Sequence, residues 1–395
     1  MLPKISSAFL NVTHACNLAC RYCFVEQHPE FMPYQVARDA VDFLAGGADG
    51  TRPPSITFFG GEPMLAWDTV IRPLVLYIRD TYGDEYSLNM TTNGTLLTPE
   101  ILDFLRDHGV GVMISIDGDR ETQDYNRPFH GGGGSYETLS AILPHYLACN
   151  PSAVFRSTLI PATAEHLSEN VAYAESTGFH SFFLIPNVFE PWDEESRNTV
   201  EREMRNVSDR IIDAFASGRQ PMSFSTLEDS FQRIVRINRE TGCNCTRSEQ
   251  KCGLGTGPFA SVDWKGNLYA CQEMVSCKGS GDPFYIGDIY SGPDEEKRKT
   301  LAARFSAGKL HGDNCESCIL RSVCDGGCVA NNYMALGDVN AVPDTYCWWL
   351  RLVLGEAVYI MNTLGEPQTA GHEDFRNYWM RLQEREGYRC RSKMS

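Results

Sequence analysis

The fold of this chain is decided by the stretch Ala8-Phe-Leu-Asn-Val-Thr-His-Ala-Cys16-Asn-Leu-Ala-Cys20-Arg-Tyr-Cys23. Its first six residues are largely apolar, which predicts a buried strand. Three cysteines follow, and no nearby Cys or His completes a convincing four-ligand set. Structural zinc sites and most iron–sulfur clusters use four protein ligands, so three thiols indicate a metal centre with one open position. A zinc site completed by a distant ligand is the alternative.

Five more apolar runs follow, and amphipathic segments separate them. Among these segments, Thr98 and Pro99 mark a helix start, and Gly109 marks its end. Six strand–helix units predict an α/β fold with a parallel sheet, namely a partial (β/α)6 TIM barrel. The six predicted strands are Ala8–Thr13, Ser55–Phe59, Ser87–Thr91, Gly111–Ile116, Val154–Ile160 and Ser181–Val188.

Polar motifs gather at one end of these predicted strands. Because the carboxyl ends of parallel strands meet at one rim, where α/β barrels build active sites, this arrangement predicts an enzyme. Arg156 lies on the fifth strand, and Ile185-Pro-Asn187 ends the sixth. The motifs on the first four are Asn17–Tyr22, Gly60-Gly-Glu-Pro63, Thr92-Asn-Gly94 and Ser115-Ile-Asp-Gly118.

Composition narrows the class of protein further. The 395 residues carry a net charge of −16, which disfavours binding to nucleic acid. No signal segment is evident, and the longest apolar stretch, Cys347 to Met361, is interrupted by Arg351 and Glu356. We therefore expect a cytoplasmic protein that does not insert into membranes. In such a chain the 15 cysteines favour metal binding over disulfides.

A second cysteine region lies between residues 236 and 350. Its run Cys315-x2-Cys318-x5-Cys324-x3-Cys328 has the spacing of a metal site, and zinc ribbons are the structural alternative. Val262–Tyr269 predicts a hairpin that ends just before Cys271. Residues 279–298, rich in Gly, Pro and acids, predict a surface loop, and helices are expected beyond Cys347. The remaining cysteines of the region are Cys243, Cys245, Cys252 and Cys277.

The spacing Cys16-x3-Cys20-x2-Cys23, with an aromatic residue before the third Cys, resembles the signature of radical S-adenosylmethionine (SAM) enzymes. The resemblance implies that the three thiols hold a [4Fe–4S] cluster whose open iron binds SAM. It also implies a set of SAM contacts. Gly60, Gly61 and Glu62 would hold the methionine amino group, with Glu62 as the acceptor, and Asn93 lies on the same rim. Ser115 and Asp117 would contact the ribose and the methionine, Arg127 or Arg156 would meet the carboxylate, and Tyr22 and Ile185 would flank the adenine.

The later cysteines are similar to the SPASM extension of that family. By this resemblance two auxiliary [4Fe–4S] clusters are held, one by Cys315, Cys318, Cys324 and Cys347, the other by Cys252, Cys271 and Cys328. The implied domains are a radical SAM barrel over 1–235, a SPASM domain over 236–350 and a helical segment over 351–395.

Two positions depart from the sulfatase-maturase group within that family. Pro258 replaces a further Cys, so one auxiliary iron stays open or uses Cys277, Cys243 or Cys245. Gln272 stands where those enzymes carry an Asp base, and a neutral amide takes up no proton at pH 7. This disfavours oxidation of Ser or Cys to formylglycine.

The resemblance implies reductive cleavage of SAM and abstraction of hydrogen from a residue of a peptide or protein substrate. We expect a thioether or carbon–carbon crosslink in a ribosomally synthesised peptide. The alternatives are formylglycine formation, peptide epimerisation and, in another class, a non-catalytic iron–sulfur electron carrier or sensor. One expected partner is an electron donor such as flavodoxin or ferredoxin. Because the first strand begins near Ala8, we expect either a separate leader-binding protein or direct binding of the peptide by the rim and the SPASM domain.

Overall fold

The structure, a computed structural model, describes residues 2–50, 52–237, 254, 257–276, 279–305, 310–312, 315–321 and 323–392. Within these ranges no helix combines the length and apolarity needed to cross a bilayer. The strands are β1 (Ser7–Thr13), β2 (Ser55–Gly60), β3 (Ser87–Thr92), β4 (Val110–Ile114), β5 (Val154–Leu159), β6 (Ser181–Pro186), β7 (Ser223–Phe224), β8 (Phe259–Val262), β9 (Asn267–Tyr269), β10 (Tyr285–Asp288) and β11 (Gly292–Pro293).

Helices alternate with the first six strands, as the sequence predicts. The α-helices are α1 (Tyr34–Gly47), α2 (Arg72–Tyr82), α3 (Pro99–Asp107), α4 (Arg120–Asn126), α5 (Tyr136–Cys149), α6 (Leu167–Thr177), α7 (Glu194–Ala216), α8 (Ser225–Ile237), α9 (Glu295–Arg304), α10 (Val329–Leu336), α11 (Asp344–Gly365) and α12 (His372–Ser392).

The chain divides into two compact units. Unit 1 comprises Met1–Ile116, Gln123–Ala153 and Gln250–Ser306, and unit 2 comprises Asp117–Thr122, Val154–Glu249 and Ala307–Ser395. Each unit contains its own sheet and is described separately below.

Unit 1 is built on an eight-stranded mixed sheet with the order β11-β10-β9-β8-β1-β2-β3-β4. The four strands β1 to β4 are parallel to their neighbours, so the residues that follow them meet at one edge. Alternate residues on these strands are buried, among them Leu10, Phe58 and Met90. Burial of this face and the helical crossovers fix the register and bring the polar motifs after β1, β2, β3 and β4 to a common rim.

The predicted helix boundaries are confirmed at α3. Thr98 is the N-cap and its hydroxyl accepts a hydrogen bond from the Ile101 backbone N–H at 3.3 Å. Pro99 occupies the first turn, where its missing N–H costs nothing. Gly109, just past the end, has φ +61° and so takes a left-handed conformation that favours glycine.

The predicted surface loop at 279–298 is wrong for half of its length. Residues 285–288 and 292–293 form β10 and β11, and α9 begins at Glu295. Ile286 is fully buried, and β10 pairs antiparallel with β9. The Gly, Pro and acidic residues of this segment lie mainly in the turns. Because they dominate its composition, the short apolar stretch of β10 was not recognised as a strand. The predicted hairpin over 262–269 is confirmed as β8 and β9, and β8 lies parallel to β1.

Unit 2 contains a three-stranded parallel sheet with the order β5-β6-β7. Phe155, Phe182 and Phe224 stack along it, with ring centroids 4.9 and 5.4 Å apart for successive pairs. The long helices α7 and α8 pack against α11 in the same unit, and the buried Glu356 of α11 pairs with Arg205 of α7 at 2.8 Å.

Candidate active site and cysteine centres

The three predicted cluster cysteines lie together on the loop after β1. The Cys16 thiol accepts hydrogen bonds from the Leu18 N–H at 3.4 Å and from the Asn93 side chain at 3.8 Å. Burial raises the pKa of the Cys16 thiol to about 11, and the nearby charges of Glu62, Cys20 and Cys23 add to that rise. Metal binding at this loop must therefore displace the thiol protons.

A strap of residues 126–130 holds the cysteine loop from the other side. The Ala19 N–H donates to the Pro128 carbonyl at 2.8 Å, and the Arg21 N–H donates to the Asn126 carbonyl at 3.0 Å. Leu18 and Phe129 form an antiparallel bridge between the two segments. The loop thus gains strand-like pairing from a part of the chain more than 100 residues away, which sequence patterns on either segment do not reveal.

Arg127 and Tyr22, two predicted SAM contacts, meet on this strap and loop. The Arg127 guanidinium lies 5.3 Å from the centre of the Tyr22 ring, and its Nη1 is 3.9 Å from the Cys20 sulfur. Arg127 is 93% buried, so its charge faces protein and sulfur rather than bulk water. A cation beside a thiolate favours the ionised sulfur that iron binds.

Gly60 and Gly61 bring the end of β2 against the cysteine loop. Gly60 has φ +138°, and a Cβ there would lie 1.9 Å from the Thr13 carbonyl oxygen. A Cβ on Gly61 would lie 2.3 Å from the Ala15 carbonyl oxygen. Only glycine permits this approach of two backbones, so the motif has a steric reason independent of any ligand.

The carboxylate of Glu62 is completely buried and joins three segments of the rim. It accepts hydrogen bonds from the Met64 N–H at 2.9 Å, the Thr92 hydroxyl at 2.7 Å and the Asn93 N–H at 2.7 Å. Desolvation raises its pKa to about 7, although all three bonds act in the opposite direction. A carboxylate has about four acceptor positions, so one is left for a further donor.

An amide network, which sequence reasoning missed, extends from Asn93 to the cysteine loop. The Asn93 amide donates to Asn17 Oδ1 at 2.8 Å, and Asn17 Nδ2 donates to the Thr95 hydroxyl at 2.8 Å. Thr95 in turn donates to Asn93 Oδ1 at 2.7 Å. The signal was the pair of Asn residues in two rim motifs, Cys-Asn-Leu and Thr-Asn-Gly.

Ser115 completes the predicted residues of unit 1. It follows β4, is 91% buried, and its N–H donates to the Thr92 carbonyl at 2.9 Å. Unit 1 therefore brings the three cysteines, Gly60 to Glu62, Asn93, Ser115, Tyr22 and Arg127 to the carboxyl edge of one sheet.

Asp117, Arg156 and Ile185 belong to unit 2. The Asp117 carboxylate accepts the Thr158 N–H at 3.0 Å, and its carbonyl accepts the Ser157 hydroxyl at 2.9 Å. Arg156 is the third residue of β5 rather than its end, with its guanidinium 5.5 Å from the Phe183 ring centre. Ile185 is the penultimate residue of β6.

Four of the C-terminal cysteines surround one cavity of unit 2. Burial raises the pKa of the Cys347 thiol to about 11, and the charges of Cys315 and Cys324 also raise it. The Gly326 N–H donates to the Cys324 sulfur at 3.3 Å. The lining residues are Leu310, Cys315, Cys318, Leu320, Arg321, Cys324, Val342, Cys347, Leu350 and Arg351.

The other predicted cluster ligands are described only in part. Cys271 follows the hairpin in unit 1, and its thiol lies 3.4 Å from Gln272 Oε1. Cys328 is the N-cap of α10 in unit 2. The predictions for Cys243, Cys245, Cys252 and Cys277 fall outside the described residues.

The donor set of the loop after β1 fits an iron–sulfur cluster with an open iron. Its three thiols are soft ligands that select such clusters or zinc. Hydrogen bonds from Leu18 and Asn93 and the cation of Arg127 reach the sulfurs, and such contacts tune cluster potentials. Glu62 beside them offers an acceptor for an ammonium group.

Replacing Gly61 with alanine is expected to weaken SAM binding by about tenfold or more, because the new Cβ would push backbone away from the cysteine loop. Equilibrium dialysis with labelled SAM on the cluster-loaded enzyme measures this. Gly46, in α1 with nothing within 4 Å of its Cβ position, supplies the control. An equal loss of SAM affinity in Gly61→Ala and Gly46→Ala would contradict the steric argument.

The chain is similar to known proteins in sequence and in fold. The family model of the radical SAM superfamily matches residues 10–174. The radical SAM cyclopropyl synthase TigE of Paramaledivibacter caminithermalis is 21% identical over 373 residues, covering 89% of this chain and 73% of that protein. The serine-type anaerobic sulfatase-maturating enzyme of Klebsiella aerogenes is 24% identical over 352 residues, covering 80% of this chain and 78% of that protein.

The fold has a matching solved structure. Native anSMEcpe with bound AdoMet and Cp18Cys peptide superposes with a TM-score of 0.70 at 19% identity, covering 91% of this chain and 99% of that chain. At this identity the match shows the fold. The family match shows that residues 10–174 form a radical SAM domain, and the chain is an enzyme similar in sequence and fold to the anaerobic sulfatase-maturating enzymes.

Proposed function

We propose that this enzyme abstracts hydrogen from a residue of a peptide and installs a thioether or carbon–carbon crosslink in a ribosomally synthesised substrate. The observation that carries the proposal is the cavity lined by Cys315, Cys318, Cys324 and Cys347, a second thiol centre in addition to the loop after β1. A [4Fe–4S] cluster and SAM at that loop would supply the reductive cleavage that begins hydrogen abstraction. The similarity to enzymes named for protein maturation supports a peptide substrate.

The four-thiol cavity supports an auxiliary [4Fe–4S] cluster. Four cysteines are the usual ligand set of such clusters, and the lining is otherwise apolar apart from Arg321 and Arg351. Arg351 lowers the pKa of Cys347 and so offsets part of the burial effect. Positive charge at the rim of the cavity suits four thiolates, which would otherwise repel one another.

A buried polar network, absent from the sequence predictions, supports the loop that carries Cys324. Arg233 of α8 pairs with Asp325 at 2.8 Å and donates to the Val323 carbonyl at 2.8 Å. The Tyr346 hydroxyl donates to the other oxygen of Asp325 at 2.5 Å. Asp325 follows Cys324 and Tyr346 precedes Cys347, so the network orients two of the four thiols.

Gln272 supports crosslinking over formylglycine formation. Its amide oxygen lies against the Cys271 thiol, and an amide has no site that takes up a proton at neutral pH. The sulfatase-maturating relatives keep formylglycine formation as the second candidate. By the same resemblance, the radical SAM barrel would span 1–235, a SPASM domain 236–350 and a helical segment 351–395, with Cys252, Cys271 and Cys328 on a second auxiliary cluster.

The proposal is tested with anaerobically reconstituted enzyme, dithionite or reduced flavodoxin as reductant, and synthetic peptides that contain Cys or Ser. A product that has lost two hydrogens and forms no hydrazide adduct supports a crosslink. A hydrazide adduct reveals the aldehyde of formylglycine instead. Incorporation of one solvent deuterium without mass loss reveals epimerisation, and intact clusters without SAM cleavage would reveal an electron carrier.

We expect Cys324→Ser to remove about four irons from about twelve per chain. SAM cleavage should persist while peptide modification stops, because the site after β1 is unchanged. Cys390→Ser is the control, since Cys390 lies 43 residues beyond Cys347 and outside every cysteine motif. An unchanged iron content in Cys324→Ser would contradict the auxiliary cluster without affecting the assignment of the first site.

A further inference from the structure

Helices α3 and α5 pack together in unit 1 and bring a thiol, an imidazole and a carboxylate to one place. His145 Nε2 lies 3.1 Å from Asp103 Oδ1, and the Cys149 sulfur lies 3.8 Å from the same oxygen. The three atoms that could ligate a metal ion, one from each residue, are within 4.8 Å of one another. These residues stand on the helical layer, away from the loops that carry the SAM site, and the function proposed above does not use them.

The separations match the edges of a zinc coordination tetrahedron. With zinc bonds of about 2.0 Å to N and O and about 2.3 Å to S, tetrahedral angles give N–O edges of about 3.3 Å and S–O edges of about 3.5 Å. The observed separations of 3.1 and 3.8 Å differ from these edges by a few tenths of an ångström. The third separation, between His145 Nε2 and the Cys149 sulfur, is at most 4.8 Å, so side-chain adjustment can bring all three atoms to one ion.

The sequence spacing gives the same result by an independent route. His145 and Cys149 are four residues apart on α5, so both side chains leave the same face of the helix. Two ligands at i and i+4 on one helix, with a third from elsewhere, is a recurrent zinc-binding arrangement. The side chains of His145 and Asp103 are 37% and 43% exposed, so an ion can enter from solvent.

A cation already occupies part of this position. Arg106 Nη1 donates to Asp103 Oδ1 at 2.7 Å and lies 3.6 Å from the Cys149 sulfur. The remainder of the guanidinium is bound to Asp107, through Nε at 3.0 Å and Nη2 at 2.8 Å. Arg106 and Asp107 are about half exposed or more, so the two side chains can swing away together and withdraw Nη1 from the site.

We propose that Asp103, His145 and Cys149 form an exchangeable zinc site in which Arg106 competes with the ion. Binding would exchange the Cys149 thiol proton, the proton on His145 Nε2 and the Nη1 contact of Arg106 for three metal bonds. The thiol proton would leave to solvent, and the imidazole would carry its remaining proton on Nδ1. Three protein ligands leave the fourth position to water, as in zinc sites that are not purely structural. The bound ion would join α3 to α5.

The test is zinc binding by the cluster-loaded enzyme, in which the cluster cysteines are already occupied. After dialysis against buffered zinc, metal analysis is expected to find one zinc per chain more in the wild type than in Cys149→Ser or His145→Gln. The zinc absorption edge should show one sulfur neighbour at about 2.3 Å. Arg106→Gln is expected to bind zinc several-fold more tightly, because the competing cation is gone.

His166→Gln is the matched control, because His166 also lies against carboxylates, including Glu169 at 3.2 Å, but has no thiol partner in the described contacts. This variant is expected to keep the zinc of the wild type. Equal zinc in the wild type and Cys149→Ser, or an edge spectrum without sulfur, would overturn the site. Weaker binding in Arg106→Gln would overturn the competition. None of these outcomes depends on SAM cleavage or peptide modification.

Discussion

Replacing Cys20 with alanine is expected to abolish SAM cleavage and to remove about four irons per chain. The loop after β1 offers three thiols, and the Cys20 sulfur is the one that Arg127 approaches at 3.9 Å. Two thiols cannot hold a cubane cluster in a fixed orientation, so no open iron would face the site. The measurement is the methionine and 5′-deoxyadenosine formed from SAM under dithionite, together with iron and sulfide analysis.

The control for this prediction is Cys390→Ala, which removes a cysteine outside every motif. It should retain full iron content and full cleavage. The auxiliary irons should remain in Cys20→Ala, since their predicted ligands lie elsewhere in the chain. SAM cleavage by Cys20→Ala at the rate of the control would contradict the assignment of the three thiols.

Replacing Glu62 with glutamine is expected to weaken SAM binding by about tenfold to a hundredfold. The loss of a charge-assisted hydrogen bond costs roughly 1.5–3 kcal/mol, and every 1.4 kcal/mol is about tenfold in affinity. Glutamine can still accept the bonds from Met64 and Thr92, but its amide NH2 would then face the Asn93 N–H, donor against donor. Labelled SAM binding to the loaded enzyme measures the effect.

The same substitution is expected to change how stability depends on pH. The folded-state pKa of Glu62 is about 7 rather than 4.5, so between these values the folded chain binds more protons than the unfolded chain. This group therefore makes stability fall as pH rises from about 4.5 to about 7, with no further change above. Glutamine does not titrate, so the fall in stability that Glu62 causes between about pH 4.5 and pH 7 should be absent from the variant.

Thermal midpoints of the loaded enzyme between about pH 5 and pH 8 check this expectation. Glu100→Gln is the control, because Glu100 is exposed on α3 and its pKa is lowered, not raised. An unchanged pH profile in Glu62→Gln would show that the three hydrogen bonds outweigh desolvation and keep the carboxylate ionised.

The sequence predicted the first six strands and the helices between them well because their signals are local. Apolar runs and caps such as Thr98 placed each of the first six strands to within two residues of its observed ends. Cysteine spacing and the Gly60–Glu62 motif likewise predicted a radical SAM domain, and the superfamily match over residues 10–174 confirms it. Each of these patterns lies within a few residues of chain.

What the sequence could not predict depends on contacts between distant segments. β8 joins the sheet beside β1 through residues about 250 positions apart, and no local pattern encodes that neighbour. The Glu62 carboxylate was predicted as a ligand contact, yet its three described hydrogen bonds are all to the rim itself. Arg233 lies 92 residues before its partner Asp325, so its role beside Cys324 is visible only in the structure.

The pairing between the cysteine loop and the strap at 126–130 has a consequence during synthesis of the chain. At 5–20 residues per second, about 5–20 s separate the emergence of Cys23 from that of the strap. For that interval the backbone groups of Ala19 and Arg21 have no Pro128 or Asn126 carbonyl to bind. A nascent chain therefore presents three thiols before it presents the backbone partners that fix their loop, so we expect faithful cluster loading only after the strap has been made.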